Sequence, residues 1–441
     1  MESLPRVAAA MQHVLTEVAE RAAREAGFVR RRRVVTGPLF VQALVLGWLA
    51  RPEATLHQLA QALAVLGAPI SPQGVARRFG PEAADLLGRV SGAAVGALTA
   101  PRGTGVPLPA RFAGVYVLDC TTVRLPDALA AVWPGCGGRT GRGTQAALKL
   151  QVRLDLAGGG LEGPVRLTGR TQDTAGPLHA APLPVGALLL ADLGSWSLGR
   201  FRGLGEAGSF WLSRLDPRTV VLDPAGRRLD LPSWLNRRGA VTVEAPVLLG
   251  SAARLPARLL AARAPQAVAD ERRRKLRAAA NREGKAPPQA TLALAGWTVA
   301  VTNAPAERLT LAEAFVVGRA RWQVELLFKL WKRDGHLAVN RSADPWRVLC
   351  EVSAKLVALL IQHWILLIGC WAIRDRSLVR AAQTVRGHAA CLLAALGQRD
   401  RLVTELRVIA RCLGAGCRVA PRRATPSAFQ LWLDPALAGL S

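Results

Sequence analysis

Gly318-Arg319-Ala320-Arg321-Trp322-Gln323-Val324-Glu325-Leu326-Leu327-Phe328-Lys329-Leu330-Trp331-Lys332 is the stretch on which the reading of this chain turns. Arg321, Glu325 and Lys332 recur at spacings that a helix gathers on roughly one face, leaving Phe328 and Trp331 to anchor the rest. A lone carboxylate among cations is either an ordinary i,i+4 partner of Arg321 and Lys329 or one member of a charged site. Other acids decide between these. Asp119 follows Val115-Tyr116-Val117-Leu118, and Asp192 follows Leu188-Leu189-Leu190-Ala191, so each ends a short apolar run.

The chain has 441 residues, half of them hydrophobic, enough for two or three domains with cores of their own. Its 58 Lys+Arg face 31 Asp+Glu, a net charge of +27. A GC-rich coding sequence accounts for arginine over lysine but not for the shortage of acids. A polyanionic partner explains that imbalance better, and a DNA duplex is the commonest. The seven cysteines contain no C-x-x-C pair and no histidine at zinc spacing, which predicts reduced thiols in a cytoplasmic protein. Met1-Glu2-Ser3-Leu4-Pro5 has no signal-peptide pattern. Leu356 to Ile373 is almost uncharged, but Gln362, His363 and two tryptophans interrupt it, so a buried core helix is the reading and not a membrane span.

Residues 1 to about 100 read as helical and basic, with Arg30 to Arg33 ahead of an apolar stretch from Leu39 to Leu49. Thr55 to Leu63, a break at Gly67-Ala68-Pro69, and Ser71 to Phe79 with Arg77 and Arg78 make a helix-turn-helix-like pattern. An ordinary helical hairpin looks the same. Pro101 to Pro109 is a Gly/Pro-rich linker, beyond which the periodicity changes. Strands are expected at 112–118, at 147–156, at 163–167 after the Gly158-Gly159-Gly160 turn, at 187–191 and at 210–215. Short strands follow at 219–222, 228–231, 241–249 and 292–301, with a basic run from Asp270 to Lys285 that reads as a solvated helix or loop. From Leu309 the chain turns helical to about residue 415, before a Pro- and Arg-bearing tail.

An acid at the end of a buried strand sits on the rim of a sheet, where a ligand can reach it. Asp119 and Asp192 there, with Glu325 arriving on a helix, suit phosphoryl transfer on DNA. Two Mg²⁺ ions held by shared carboxylates acidify the attacking water and stabilise the leaving oxygen, while nearby Arg and Lys take up transition-state charge. A turn residue or helix cap is the competing reading for each aspartate, and Asp127, Asp155, Asp173 and Asp216 are competitors nearby.

In these residues the chain resembles the bacterial insertion-sequence transposases of the DDE, RNase-H-like type. More narrowly, it is similar to the insertion-sequence 4 group, whose third acid lies in a tyrosine–arginine–glutamate–lysine signature. Val117-Leu118-Asp119-Cys120-Thr121-Thr122, then Leu125-Pro126, resembles the first motif, and Leu148-Lys149-Leu150 with Leu154-Asp155-Leu156 the second strand. Asp192-Leu193-Gly194 with Phe201 resembles the second motif, and Trp211 to Leu215 its sequel. Trp297 through Asn303 matches the end of the group's β-strand insertion, and Arg319 to Glu325 with Lys332 the third motif.

The resemblance implies an α/β fold: an RNase-H-like mixed-sheet core at 110–216 and 303–375 with a β-rich insertion at 217–302. A helical DNA-binding domain at 1–100 precedes it and a helical region at 376–441 follows. It implies that Asp119, Asp192 and Glu325 hold two Mg²⁺ ions, for which Mn²⁺ can substitute. Arg319, Arg321, Lys329, Lys332 and Lys149 then meet DNA near the transferred end, with Arg77 and Arg78 on the helical domain. Trp297, or else Trp196, would stack a flipped base. The partners are double-stranded DNA, as terminal inverted repeats and as target, and a second copy in a synaptic homodimer. Gly318 departs from the signature, whose tyrosine falls there. That loss leaves open a DNA-binding relic without catalysis, and a simple nuclease of the same fold is the third reading.

Overall fold

The computed structural model describes residues 3–29, 34–97, 111–137, 145–340, 342–371, 373 and 375–419. The Arg30–Arg33 cluster, the 101–109 linker and the tail from residue 420 lie outside the described residues.

The N-terminal part is helical: α1 (Ser3–Gln12), α2 (Ala19–Glu25), α3 (Gly37–Ala50), α4 (Leu56–Val65), α5 (Pro72–Ala76) and α6 (Pro81–Gly96). Polar caps set the entries. Thr36 and Ser71 accept the N–H groups of Leu39 and Gly74, and Thr55 and Gln58 form a reciprocal capping box. The helix-turn-helix-like segment is thus α4 and α5. Its second helix has only five residues, with Val75 buried, Arg77 exposed at its C-cap and Arg78 half-buried.

The sheet follows. Its strands are β1 (Val115–Leu125), β2 (Ala146–Asp155), β3 (Leu161–Thr168), β4 (Leu188–Ala191), β5 (Phe210–Arg214), β6 (Val221–Leu222), β7 (Thr242–Leu249), β8 (Leu255–Arg263) and β9 (Trp297–Thr302). They form one sheet in the order β3-β2-β1-β4-β5-β9-β8-β7-β6. β1, β2 and β3 are an antiparallel meander, β4 and β5 run parallel to β1, and β9 to β6 continue antiparallel from β5. The 217–302 segment therefore extends the same sheet.

Helices α7 (Pro177–Ala180), α8 (Leu198–Glu206), α9 (Leu231–Arg237), α10 (Gln266–Arg282) and α11 (Gln289–Leu294) lie between strands. Two expected strands change here. Of residues 228–231 only Arg228 pairs, in a single bridge to Leu222, because Pro232 in the first turn opens α9 at Leu231. The expected strand 292–301 is the end of α11, a break at Gly296, and then β9. The basic run from Asp270 lies mostly on α10, and β8 was not foreseen.

Then come α12 (Leu311–Ala320), α13 (Trp322–Lys329), a π-helical turn at Leu330–Asp334, α14 (Pro345–Gly369), α15 (Leu378–Gly387), α16 (Ala389–Ala395) and α17 (Arg399–Gly416). α14 explains the apolar stretch that mimics a membrane span. It is long and apolar enough to cross a membrane, yet 83% of its most apolar part is buried inside the protein. One side, with Cys350, Ala354, Val357, Ile361 and Trp364, packs into a core shared with the N-terminal helices, α16 and α17. The other, with Val348, Val352, Leu356 and Leu359, packs with α12, α13 and one face of the sheet. A helix covered on both sides is apolar all round. At about 1.5–3 kcal/mol per buried Val, Leu or Ile, it is the main adhesive between the two bodies. The N-terminal helices thus share one core with the C-terminal ones.

The β2–β3 hairpin tip docks on α14. Gly159, at φ +77°, sits so close to Leu367 and Trp371 that a Cβ would overlap both, and the buried His363 hydrogen-bonds its carbonyl oxygen at 2.7 Å.

Candidate active site

The parallel pairing of β1 with β4 creates the site. Val115, Tyr116 and Val117 pair with Leu188, Leu189 and Leu190, and continuing that register brings Asp119 level with Asp192. Asp119 shares a face with Val115 and Val117, and Asp192 continues the face of Leu188 and Leu190, all four apolar residues facing the core roofed by α12 and α13. The two carboxylates therefore leave the sheet toward the helix that carries Glu325.

Asp119 does not end its strand, as the apolar run suggested. β1 continues to Leu125, because β2 pairs with it along its whole length. What ends is β4, at Ala191, and its departure opens the sheet beside Asp119. Asp192 is the strand-end residue, heading a 3₁₀ turn at Leu193–Ser195.

Arg321 joins the acids. Sitting between α12 and α13, it donates through Nη2 to Glu325 Oε1 at 3.1 Å, and its Nη1 lies 3.8 Å from Asp192 Oδ2. Asp119 lies within the field of all three. Burial pushes its carboxyl up to about 6, the Cys120 backbone N–H (2.7 Å) and Arg321 pull it down, and Asp192 and Glu325 raise it. The chemistry of the donor set fits a hard divalent cation: carboxylate oxygens facing one another, with burial and mutual repulsion calling for positive charge. Among the described residues, no three acids stand close enough to hold such an ion as they are. The guanidinium occupies the gap.

A shallow cleft beside the acids is lined by Leu118, Asp119, Cys120, Asp173, Asp192, Gly194 and Ser195. Asp173 reaches it from the opposite face of the sheet, paired with Lys149 at 2.8 Å. Cys120 faces Asp173, and burial together with that carboxylate pushes its thiol up to about 12. Such a thiol is no nucleophile at neutral pH. The sequence marks Asp173 only as one competitor among several acids. The approach of Cys120 and Lys149 from two paired strands is a tertiary fact that no local spacing signals.

The other candidates fall into three groups. Arg319 and Lys329 are exposed, Lys329 lying 4.0 Å over the exposed ring of Trp322. Lys332, on the π-helical turn, is half-buried, which lowers its pKa, and it makes no ion pair among the described residues. Lys149 is only 13% exposed and already serves Asp173 and the Thr171 carbonyl. Trp297 is 5% exposed, donates its indole N–H to Asn236 and carries the Arg263 guanidinium 4.9 Å from its ring centroid, so its ring belongs to the core. Trp196 lies edge-on to Phe201, itself stacked on Trp211. Gly318 is exposed, and a Cβ built there meets nothing within 4 Å.

Comparison with known proteins gives this arrangement its context. Residues 110–361, more than half of the chain and all of the acids above, match the family described as the transposase DDE domain. The chain belongs to the DDE transposase family. It is similar to the transposase for insertion sequence element IS231E of Bacillus thuringiensis subsp. finitimus, 25% identical over 426 residues, covering 90% of this chain and 88% of that one. The transposase for IS231F of B. thuringiensis subsp. israelensis is 26% identical over 383 residues, 82% of this chain and 79% of that protein. The putative transposase InsL for IS186A of Escherichia coli K12 is 30% identical over 146 residues, 31% of this transposase and 39% of that protein. The relatives share the insertion-sequence character that the motifs suggested.

Proposed function

We propose that this transposase binds the terminal inverted repeats of its own element and moves it by cut-and-paste, with Asp119, Asp192 and Glu325 as its catalytic acids. What carries the reading is the meeting of these three side chains around Arg321, from β1, the end of β4 and α13. The strand order β3-β2-β1-β4-β5, an antiparallel meander followed by two strands parallel to β1, supports an RNase-H-like core, with β6 to β9 as its insertion. The acids at the signature spacing support the insertion-sequence 4 group, Gly318 being the departure.

In this reading the three carboxylates hold two Mg²⁺ ions, or Mn²⁺ in their place, which when bound acidify the attacking water and stabilise the departing 3′-oxygen. Arg321 and Lys332 take phosphate charge on the α13 side, and the exposed Arg319 and Lys329 extend that basic surface. Water opens the phosphodiester at each element end. The freed 3′-hydroxyl then attacks a target phosphodiester in line, a new P–O bond forming as the target's P–O3′ bond breaks. A homodimer brings two ends together. The helices at 1–100, with Arg77 and Arg78, would recognise the repeats, and the many arginines give a steep salt dependence. A flipped base could use Trp297 only after Asn236 and Arg263 had moved off it.

The complete acid set favours an active enzyme over a DNA-binding relic. The deciding experiment is cleavage of a labelled duplex carrying the element's terminal repeat, in Mg²⁺ or EDTA, beside Glu325→Gln. Metal-dependent 3′-end nicking that the variant lacks is expected. Specific binding without nicking in Mg²⁺ or Mn²⁺ identifies the relic, and hydrolysis without joining to a plasmid target identifies the nuclease.

A further inference from the structure

Glu325 and Asp192 share one cation, and it belongs to the protein. Among the described residues, Arg321 is the only cation paired with either acid: Lys149 is taken by Asp173, and Lys332 makes no ion pair. The contact is not a decoration of one helix face. Arg321 ties α13 to the turn after β4, two elements about 130 residues apart in the chain, and it is only 25% exposed. Its fork reaches toward both carboxylates, hydrogen-bonded to Glu325 at 3.1 Å and in ion-pair range of Asp192 at 3.8 Å, and it takes up the space and the negative charge that a divalent ion needs.

Guanidinium and divalent cation cannot both stand between the same two carboxylates. Their mutual repulsion at such range, in a half-buried setting, is far from screened. Something must draw Arg321 away before metal enters, and the natural acceptor is a phosphate of the DNA brought to this surface. A phosphate offers the guanidinium the same bidentate geometry as a carboxylate.

We propose that Arg321 is an interlock: in the DNA-free protein its guanidinium holds Asp192 and Glu325 in place of metal, and a DNA phosphate releases it. This rests on the proposed metal-binding role of the triad. Metal loading and DNA binding are then coupled, each strengthening the other by the same factor, since coupling between two binding sites is reciprocal. The transposase would be kept from loading its metal, and so from random hydrolysis, until DNA is seated. Arg321 acts here as a positioning residue for the two acids.

The test is Mn²⁺ binding to the full chain, read from the electron paramagnetic resonance signal of free Mn²⁺, which requires no turnover. Wild type, Arg321→Gln, Glu325→Gln and the Arg321→Gln/Glu325→Gln double variant are each titrated with and without a short duplex. Without DNA, Arg321→Gln is expected to bind Mn²⁺ about tenfold tighter than wild type, within the usual range of such couplings. The duplex should tighten wild type by a similar factor beyond its effect on Glu325→Gln, and leave Arg321→Gln nearly unchanged. Equal affinities of wild type and Arg321→Gln without DNA, both weakened by Glu325→Gln, overturn the interlock and leave the triad standing. Mn²⁺ binding indifferent to Glu325→Gln in every background overturns both. Should Arg321→Gln fail to fold, wild type against Glu325→Gln with and without duplex decides alone: no duplex-induced tightening specific to wild type overturns the interlock.

Discussion

Arg321–Glu325 and Glu351–Lys355 are both cation–glutamate pairs four residues apart on helices, and the protein treats them in opposite ways. Glu351 and Lys355, on α14, are 2.7 Å apart with side chains only 4% and 2% exposed. Lys355 spends further protons on the carbonyls of His336 and Val339, at 2.9 and 3.0 Å, so its charge is enclosed and its donors are used. Arg321 and Glu325 are each over a quarter exposed or close to it, and the arm toward Asp192 is stretched to 3.8 Å. The first pair is finished, and it pins the loop that follows the π-helical turn. The second is unfinished, and its cation reaches toward Asp192, which lines a cleft. Spacing alone does not separate a structural ion pair from a site; depth and the number of remaining acceptors do.

Substitutions should break the comparison cleanly. Glu325→Gln is expected to reduce strand cleavage by at least about 10³-fold, while leaving the melting temperature nearly unchanged, as suits a partly exposed pair. A gel assay beside a thermal melt measures both; a melt lowered as far as activity would make Glu325 structural. Lys355→Met is expected to do the reverse. It strands a buried Glu351 and two carbonyls, and should cost about 3–5 kcal/mol in denaturant unfolding. A loss under about 1 kcal/mol would show the pair to be solvated.

The pH response sharpens the same contrast. His363, buried between α14 and the β2–β3 hairpin, has its pKa pushed down by burial to about 4 from an ordinary 6.5. The unfolded imidazole takes up a proton below about pH 6.5 and the folded one does not until about pH 4. Unfolded chains thus bind the extra proton, and stability falls as pH drops through that window, by on the order of 3 kcal/mol. Melts of wild type and His363→Gln from pH 7.5 to 5 should show the steeper decline in wild type; parallel curves would remove His363 from the account. The smallest effect is expected at the exposed Gly318. Because a side chain there meets open space, Gly318→Tyr should raise helix stability by a few tenths of a kcal/mol. It should tighten binding of the terminal repeat about three- to tenfold, the worth of one hydrogen bond. A lowered melting temperature would show that the position is not as open as its geometry.

Much of this was legible because it is local. The alternation of Ala147 to Leu156, the Leu188–Ala191 run ahead of Asp192, and the caps at Thr55 and Ser71 each carry their own signal within a few residues. The acids could be named because their neighbours match known motifs. β8 escaped because Leu255-Pro256-Ala257-Arg258-Leu259-Leu260-Ala261-Ala262-Arg263 lacks clean alternation: buried within the sheet, it is apolar at consecutive positions. α11 and β9 merged into one expected strand because both are apolar, and only Gly296 marks the break.

By itself, the sequence determined the strands around Asp119 and Asp192, the helix bearing Glu325, the basic surplus and the order of the three acids, since each depends on side-chain chemistry over a few residues or on composition. Tertiary structure alone decided that β1 outruns β4 and leaves Asp119 beside a gap, and that α14 joins two cores. It also decided that Lys149 serves Asp173, and that Arg321 falls between Asp192 and Glu325. Those outcomes depend on which distant surfaces are buried against each other, and burial sets both the reach of a charge and the partners left to it.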